Sequence, residues 1–215
     1  MEKEEKIAEF VGIMLGDGCI GKYPNRSREK IRYQHRVKVT LDSRNKEYTG
    51  YVSNLLREVL GIEPKVYYKK SENTVDIAIY QKEIYLYVIN NIGLLASPKW
   101  NRMSVPLKYQ HGKLGRLVLK GLFDTDGCVT LFNNNGIKYP RIEIRLSPSP
   151  AQDQINNILL ENSFSFRIQK LERGKTKIRI SGKNELKKWF DIIGSSNPIH
   201  AEKANQFLKN SRSGI

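Results

Sequence analysis

The chain has little of what metal boxes, disulfide frameworks and membrane spans are made from. In 215 residues there are two cysteines, three histidines, three methionines and two tryptophans. Two cysteines build neither a disulfide scaffold nor a metal box. His35, His111 and His200 have no zinc-ligand spacing, and no Ser-His-Asp or Cys-His set stands out for nucleophilic catalysis. No apolar run approaches the roughly 20 residues of a membrane-spanning helix, and the basic residues do not gather on one amphipathic helix. The opening Met1-Glu2-Lys3-Glu4-Glu5-Lys6 is no signal peptide, so an intracellular location is expected: cytoplasm or nucleoid, or an organelle matrix in a eukaryote. Acidic residues are the scarce charge, 22 against 37 Lys and Arg, a net +15. Such an excess points to a polyanionic partner, nucleic acid before membrane. Hydrophobic residues at 39% are enough for a core.

What is present is a near-repeat. Residues 10–18 read Phe-Val-Gly-Ile-Met-Leu-Gly-Asp-Gly, and residues 119–127 read Leu-Lys-Gly-Leu-Phe-Asp-Thr-Asp-Gly. Each has a glycine, a small residue four places on (Gly12/Gly16, Gly121/Thr125), then aspartate and glycine. Cysteine follows both, at Cys19 and Cys128, read as small buried hydrophobes in equivalent positions. Asp17 and Asp126 stand 109 residues apart, about half the chain.

The rest repeats in the same order. Residues 4–16 predict a helix ending at Gly16-Asp17-Gly18, followed by a strand over 19–23 and a basic loop over 24–28. Arg32, Gln34, Arg36, Lys38 and Thr40 alternate with Tyr33, His35, Val37, Val39 and Leu41, the period of a half-buried strand with a basic open face. Tyr48, Val52, Leu55, Leu56 and Val59 form a helical stripe closed by Gly61. Residues 65–70 and 74–80 read as a hairpin, and 82–92 as a helix ending at Gly93. In the second half the motif helix covers 114–125, with strands at 128–133 and 139–146. Ser149-Pro150-Ala151-Gln152 reads as an N-cap serine, a first-turn proline and a capping-box glutamine. A hairpin over 166–173 and 176–181 and a helix over 184–193 complete the unit. The prediction is an α+β fold of two pseudo-symmetric αββαββα repeats, 1–107 and 108–215, joined where Pro106, Gly112 and Gly115 interrupt the pattern.

Glycine inside a helix costs roughly 1 kcal/mol against alanine. Small residues four apart share one face and let two backbones approach closely. The two motif helices are therefore expected side by side, as the seam of a pseudo-symmetric monomer. That brings Asp17 and Asp126 together at helix ends where carbonyls already contribute negative charge, an arrangement that divalent cations would offset. Mg²⁺ suits carboxylate, carbonyl and water ligands; backbone oxygens of Gly16 and Thr125 are candidates to join the shell, and such sites can polarise a phosphodiester. The basic strand faces suit a DNA major groove, which admits β-ribbons: Arg32, Gln34, Arg36, Lys38 and Thr40 in one half, Arg141, Glu143 and Arg145 in the other. Tyr67, Lys69, Arg167, Gln169, Lys177 and Arg179 are weaker candidates for the same surface.

The two motifs and the layout around them resemble the LAGLIDADG homing endonucleases in their single-chain, two-motif form. The resemblance implies antiparallel β saddles over double-stranded DNA, with Asp17 and Asp126 as metal-binding acids. It implies two or three Mg²⁺ ions, with Mn²⁺ or Ca²⁺ able to substitute for binding, and double-strand cleavage at a long asymmetric site that leaves 3′ overhangs. Water is then the nucleophile, without a covalent intermediate. The sixth motif position is Leu15 in one copy and Asp124 in the other, and is not a metal ligand in the family. A lysine often follows each repeat's last helix; Lys99 and Lys203 occupy that segment and are expected to assist catalysis. An intron-encoded origin is in keeping with the resemblance, and no intein splice-junction residues are evident at Met1 or Ser213-Gly214-Ile215. The alternative on the same fold is an RNA maturase that binds intron RNA, or a catalytically inactive DNA-binding protein.

Overall fold

The computed structural model describes residues 1–27 and 30–209. The first repeat runs α1 (Lys3–Leu15), β1 (Gly18–Ser27), β2 (Lys30–Asp42), α2 (Lys46–Leu60), β3 (Lys65–Tyr68), β4 (Thr74–Ile79) and α3 (Lys82–Tyr87). The second runs α4 (Gly112–Asp126), β5 (Gly127–Asn134), β6 (Ile137–Leu146), α5 (Ala151–Glu161), β7 (Phe166–Lys170), β8 (Thr176–Ser181) and α6 (Lys183–Ile192), then adds α7 (Pro198–Lys209). Each repeat has one four-stranded sheet, ordered β1-β2-β4-β3 and β5-β6-β8-β7, with every neighbour antiparallel.

The alternation in β2 explains its sheet. Val37, Val39 and Leu41 are buried in the core, while Arg36, Lys38 and Thr40 keep partial access on the open face. The β6 strand does the same with Ile142, Ile144 and Leu146 inward and Arg141, Glu143 and Arg145 outward. The α2 helix buries the predicted stripe and ends on Gly61, whose φ of 71° supplies the left-handed turn. The α3 helix continues as a π turn over Val88–Ile92 and stops at Gly93, φ 87°.

The centre of the molecule is the crossing of α1 and α4. A Cβ built on Gly12 would lie 3.0 Å from the Gly121 Cα and 2.8 Å from the Leu122 nitrogen; one on Gly121 would lie 2.8 Å from the Ile13 nitrogen. The helices therefore touch backbone to backbone, and neither glycine has room for a methyl group. Around this seam, Phe10, Val11, Ile13, Val118, Leu119 and Leu122 are fully buried.

Several local expectations need correction. The strand predicted at 19–23 continues to Ser27, so residues 24–27 of the expected loop are paired against β2; Arg28 lies outside the described residues, as do residues 210–215. Gly115 does not interrupt the chain; it sits inside α4, where its missing side chain lets the Gln110 carbonyl and Ile158 approach. The capping box at α5 does not form. Pro150 takes the N-cap position, the Ser149 hydroxyl donates to the Ser147 carbonyl (3.1 Å), and Gln152 donates instead to the Gly174 carbonyl (3.1 Å) between β7 and β8. Helix α7 was not expected. Its signal was available in Asn197-Pro198: the Asn197 side chain accepts from the Ile199 N–H (3.2 Å), and proline takes the first helical position.

Gly12→Ala and Gly121→Ala are each expected to destabilise the fold by about 1–3 kcal/mol or more through overpacking. Gly50→Ala in α2, where a Cβ meets nothing within 4 Å, should instead stabilise by about 0.5–1 kcal/mol. Urea melts of the three variants check the contrast.

Candidate nucleic-acid interface and acidic centre

The crossing carries its geometry to the helix ends. Beyond Gly12 and Gly121, a Cβ on Gly16 would lie 2.9 Å from the Thr125 Cβ and 3.3 Å from Asp126 Oδ2. The second motif's carboxylate therefore sits against the backbone next to Asp17. Asp17 is half-buried; Asp126 keeps solvent access, but protein crowds both groups. Desolvation raises both carboxyls above their usual range. Asp126 is pushed up to about 6, by desolvation first and then by the charge of Asp17, with Lys99 pulling the other way. Asp17 is raised by desolvation and lowered in part by Lys99.

Lys99 belongs to this centre. It lies in the linker between repeats, which is stitched to both. The Ser97 N–H donates to the Ile20 carbonyl of the first sheet (2.7 Å), and the Asn101 N–H donates to the Pro148 carbonyl of the second repeat (2.7 Å). The Lys99 stem lies among Met14, Ile20, Leu94 and Met103. Its ammonium donates to the carbonyls of Met14 (3.3 Å), Leu15 (2.9 Å) and Gly16, neutralising the negative end of α1. Burial lowers its pKa, and the charges of Asp126 and Asp17 oppose that shift.

The Gly16 carbonyl, a candidate metal ligand, is thus already an acceptor for Lys99. The Thr125 carbonyl lies in the last turn of α4, where carbonyls have no intrahelical partner; its hydroxyl donates back to Gly121 and Leu122 (3.1 Å each). Lys203 is exposed on α7, and its charge acts on Cys128 rather than on the acids. The structure therefore brings one of the two expected lysines to the centre. Among the described residues, no three His, Cys, Asp or Glu side chains converge as a metal cluster. A pair of carboxylates fits Mg²⁺, which characteristically binds one or two carboxylates and completes its shell with water and substrate phosphate.

On the first saddle Arg32, Gln34, Tyr67 and Lys69 are exposed. Lys38 and Thr40 are not free: both bind Asp76, Lys38 at 3.0 Å to each oxygen and Thr40 at 2.7 Å. On the second saddle Arg145, Arg167 and Gln169 are exposed, while Glu143 gathers Arg141 (3.7 Å), Lys177 (3.3 Å) and Arg179 (3.2 Å). This saddle holds a groove of ≈ 690 Å³ lined by Phe132, Tyr139, Arg141, Arg167, Gln169 and Arg179, among others.

Sequence reasoning named Tyr67 but missed two other aromatic members of this surface, Tyr23 and Phe132. Arg36 lies over the Tyr23 ring (4.4 Å) and Arg141 over Phe132 (4.0 Å). Strand alternation put Tyr23 on the face of Cys19, and this could have found it. The cysteines also need correction. Both are half-buried, and they lie opposite Lys38 and Glu143 on the open faces rather than in the core; the Cys19 sulfur sits 3.3 Å from the Tyr23 hydroxyl.

Two repeats of one sheet order, fused along a glycine seam that ends in a pair of acids, define the two-repeat LAGLIDADG fold, and this chain has it. The solved structure of the I-LtrWI LAGLIDADG homing endonuclease bound to target DNA matches with a TM-score of 0.68 over 99% of this chain and 92% of that one, at 11% identity. I-DmoI in complex with DNA and Ca matches at 0.67, 19% identity, over 96% of this chain and 98% of that one. I-DmoI with DNA and Mn matches at 0.65, 18% identity, over 90% and 98%. In sequence the chain is similar to stretches of two archaeal DNA polymerases. It is 28% identical over 137 residues to that of Thermococcus kodakarensis (60% of this chain) and 23% over 128 residues to that of Methanocaldococcus jannaschii (57%), and in each case the match spans 7% of the relative. No protein-family model matches the chain.

With Asp126 held at about 6, against about 4 for an unfolded carboxylate, the folded state binds more protons between those values. Stability of the metal-free protein should therefore fall as pH rises from about 4 to 6. Asp126→Asn is expected to raise the Tm at pH 7 in EDTA, with the difference vanishing below about pH 4. Thermal melts across that range check the sign.

Proposed function

We propose that the chain is a site-specific endonuclease that cuts both strands of DNA in a divalent-metal-dependent reaction, acting as a monomer with repeats divided at 107/108. The observation that carries this reading is the meeting of Asp17 and Asp126, from matched helix ends, beside Lys99 and between two basic saddles. The net charge of +15 supplies phosphate affinity that falls with salt, and the saddles fix register on the duplex. The carboxylates of Asp17 and Asp126 would hold the cation, with the Thr125 carbonyl a candidate further ligand. Mg²⁺ is the ion we assign, with Mn²⁺ or Ca²⁺ able to occupy the site. When bound, it polarises the scissile phosphodiester and makes water a competent nucleophile.

Lys99 does two things in this scheme. It keeps positive charge at the end of α1 while the acids are unoccupied, and it offers that charge to the phosphate that enters. We take hydrolysis as direct, with water as the nucleophile, and the overhangs as 3′. The saddles differ residue by residue, so the target is asymmetric. We assign no polymerase activity, since the stretch shared with the Thermococcus polymerase is 7% of that protein.

Selection of cut sites from a randomised duplex library in Mg²⁺ tests the reading. EDTA should abolish cutting. Asp17→Asn or Asp126→Asn should leave DNA affinity within a few-fold and abolish double-strand cleavage; loss of binding or folding in both would give the acids a structural role instead. Lys99→Met should slow cleavage by roughly 100-fold, the scale of removing one transition-state donor, and Lys203→Met far less, measured under single-turnover conditions. Binding without cutting in every metal would favour an inactive DNA-binding protein, and intron RNA binding with splicing a maturase.

A further inference from the structure

The two saddles share a cross-strand ion pair at equivalent positions, but with opposite sign. The ladders set the equivalence. Lys38 pairs with Cys19 and Ala78 as Glu143 pairs with Cys128 and Arg179. Asp76 pairs with Thr40 and Tyr67 as Lys177 pairs with Arg145 and Gln169. Position 38 thus corresponds to 143, and 76 to 177. The diagonal between them is a salt bridge in both halves, Lys38–Asp76 at 3.0 Å and Glu143–Lys177 at 3.3 Å. Burial matches closely: the four side chains are 15%, 16%, 14% and 13% exposed in that order.

In the first half the cation is on the inner strand β2 and the acid on β4. In the second half the acid is on β6 and the cation on β8. Both pairs lie on the open faces. Lys38 and Glu143 stand two residues along the strand from the motif acids' level, about 7 Å at roughly 3.3 Å per residue, while Asp76 and Lys177, opposite Thr40 and Arg145, stand at that level. They therefore face base pairs next to the cleavage centre. Neither pair is saturated. Lys38 spends two of its three donors on Asp76; Asp76 Oδ1 also accepts from Thr40 and Glu143 Oε1 from Arg179, so the acceptors left for a further donor are Asp76 Oδ2 and Glu143 Oε2.

A lysine in the major groove is matched by guanine O6 and N7, and a carboxylate by the cytosine amino group. The geometry points to these pairs as orientation determinants: each reads one G·C pair beside the centre, with guanine and cytosine exchanged between the halves. A two-fold protein reads a palindrome. The sign exchange makes this target depart from palindromy at that pair in a stated direction, guanine beneath β2 in one half and cytosine beneath β6 in the other. The inference rests on the endonuclease reading, whose own failure is visible separately as the absence of any cut site.

The test is cut-site selection from a duplex library with the native chain and with Lys38→Glu/Asp76→Lys. The exchange keeps opposite charges at both positions, so the fold is expected to survive, as a melt will show. The native chain should prefer G·C at one near-central pair of each half, in opposite senses, by about tenfold or more. In the variant the first half's preference should invert to match the second, with the remaining positions unchanged. An unchanged preference in a folded, cutting variant overturns the inference while leaving the endonuclease reading intact, and so does a native target without G·C at those pairs. Should the exchange not fold, Lys38→Gln/Asp76→Asn carries the same test. It should flatten the preference at that pair alone, and retention of the full preference overturns the inference.

Discussion

Everything in this molecule is referred to the distance between two helix axes. Gly12 and Gly121 face each other with no atom of side chain between them, so the crossing of α1 and α4 cannot relax outward without opening a void or inward without overlap. Two helix-interior glycines cost about 1 kcal/mol each in propensity. That cost is offset by the apolar residues sealed around the seam. A second contact fixes register: Glu9, fully buried on α1, receives Lys120 of α4 (3.2 Å), Tyr51 of α2 (2.7 Å) and Ser196 of the segment before α7 (2.8 Å). A buried ion pair of this kind contributes little net stability, yet losing one partner costs about 3–5 kcal/mol. It therefore penalises any other alignment of the repeats.

The acidic centre follows from that constraint. Rigid helix ends hold two carboxylates closer than their mutual repulsion favours, and desolvation aggravates it. Lys99 answers half of the imbalance, and a divalent cation with a phosphate would answer the rest. Asp124, two residues before Asp126, has another task. It is buried and accepts from the Ser195 hydroxyl and the Ser196 N–H (2.7 Å), tying down the segment that leads into α7. Its counterpart Leu15 is apolar and buried, so one motif position serves packing in one half and chain anchoring in the other.

The paired motifs, the order of elements and the outward-facing basic residues were legible in the sequence because they rest on short-range periodicity. The Gly12–Gly121 contact was legible because spacing by four admits few other uses for two glycines. What escaped reading depends on tertiary partners. Lys38 and Thr40 look like free basic and polar groups until Asp76, far along the chain, is folded against them. Gln152 has the spacing of a capping box, but a turn more than twenty residues away competes for its amide and wins. Lys99 and Lys203 look alike in sequence, and only the linker's path carries one ammonium to the carbonyls of α1 while α7 leaves the other on the surface.

The path of that linker bears on how such halves can be recombined. The strand-like link from Ser97 to Ile20 and the docking of the Lys99 stem beside Met14 tie the lysine to the N-terminal sheet, although it lies close to the junction. A hybrid that joins this first repeat to a foreign second one would bring its own ammonium along, provided the splice is made beyond Met103. Cutting earlier would strand a donor that the α1 carbonyls require, and the graft would inherit an acidic hollow without its counter-charge.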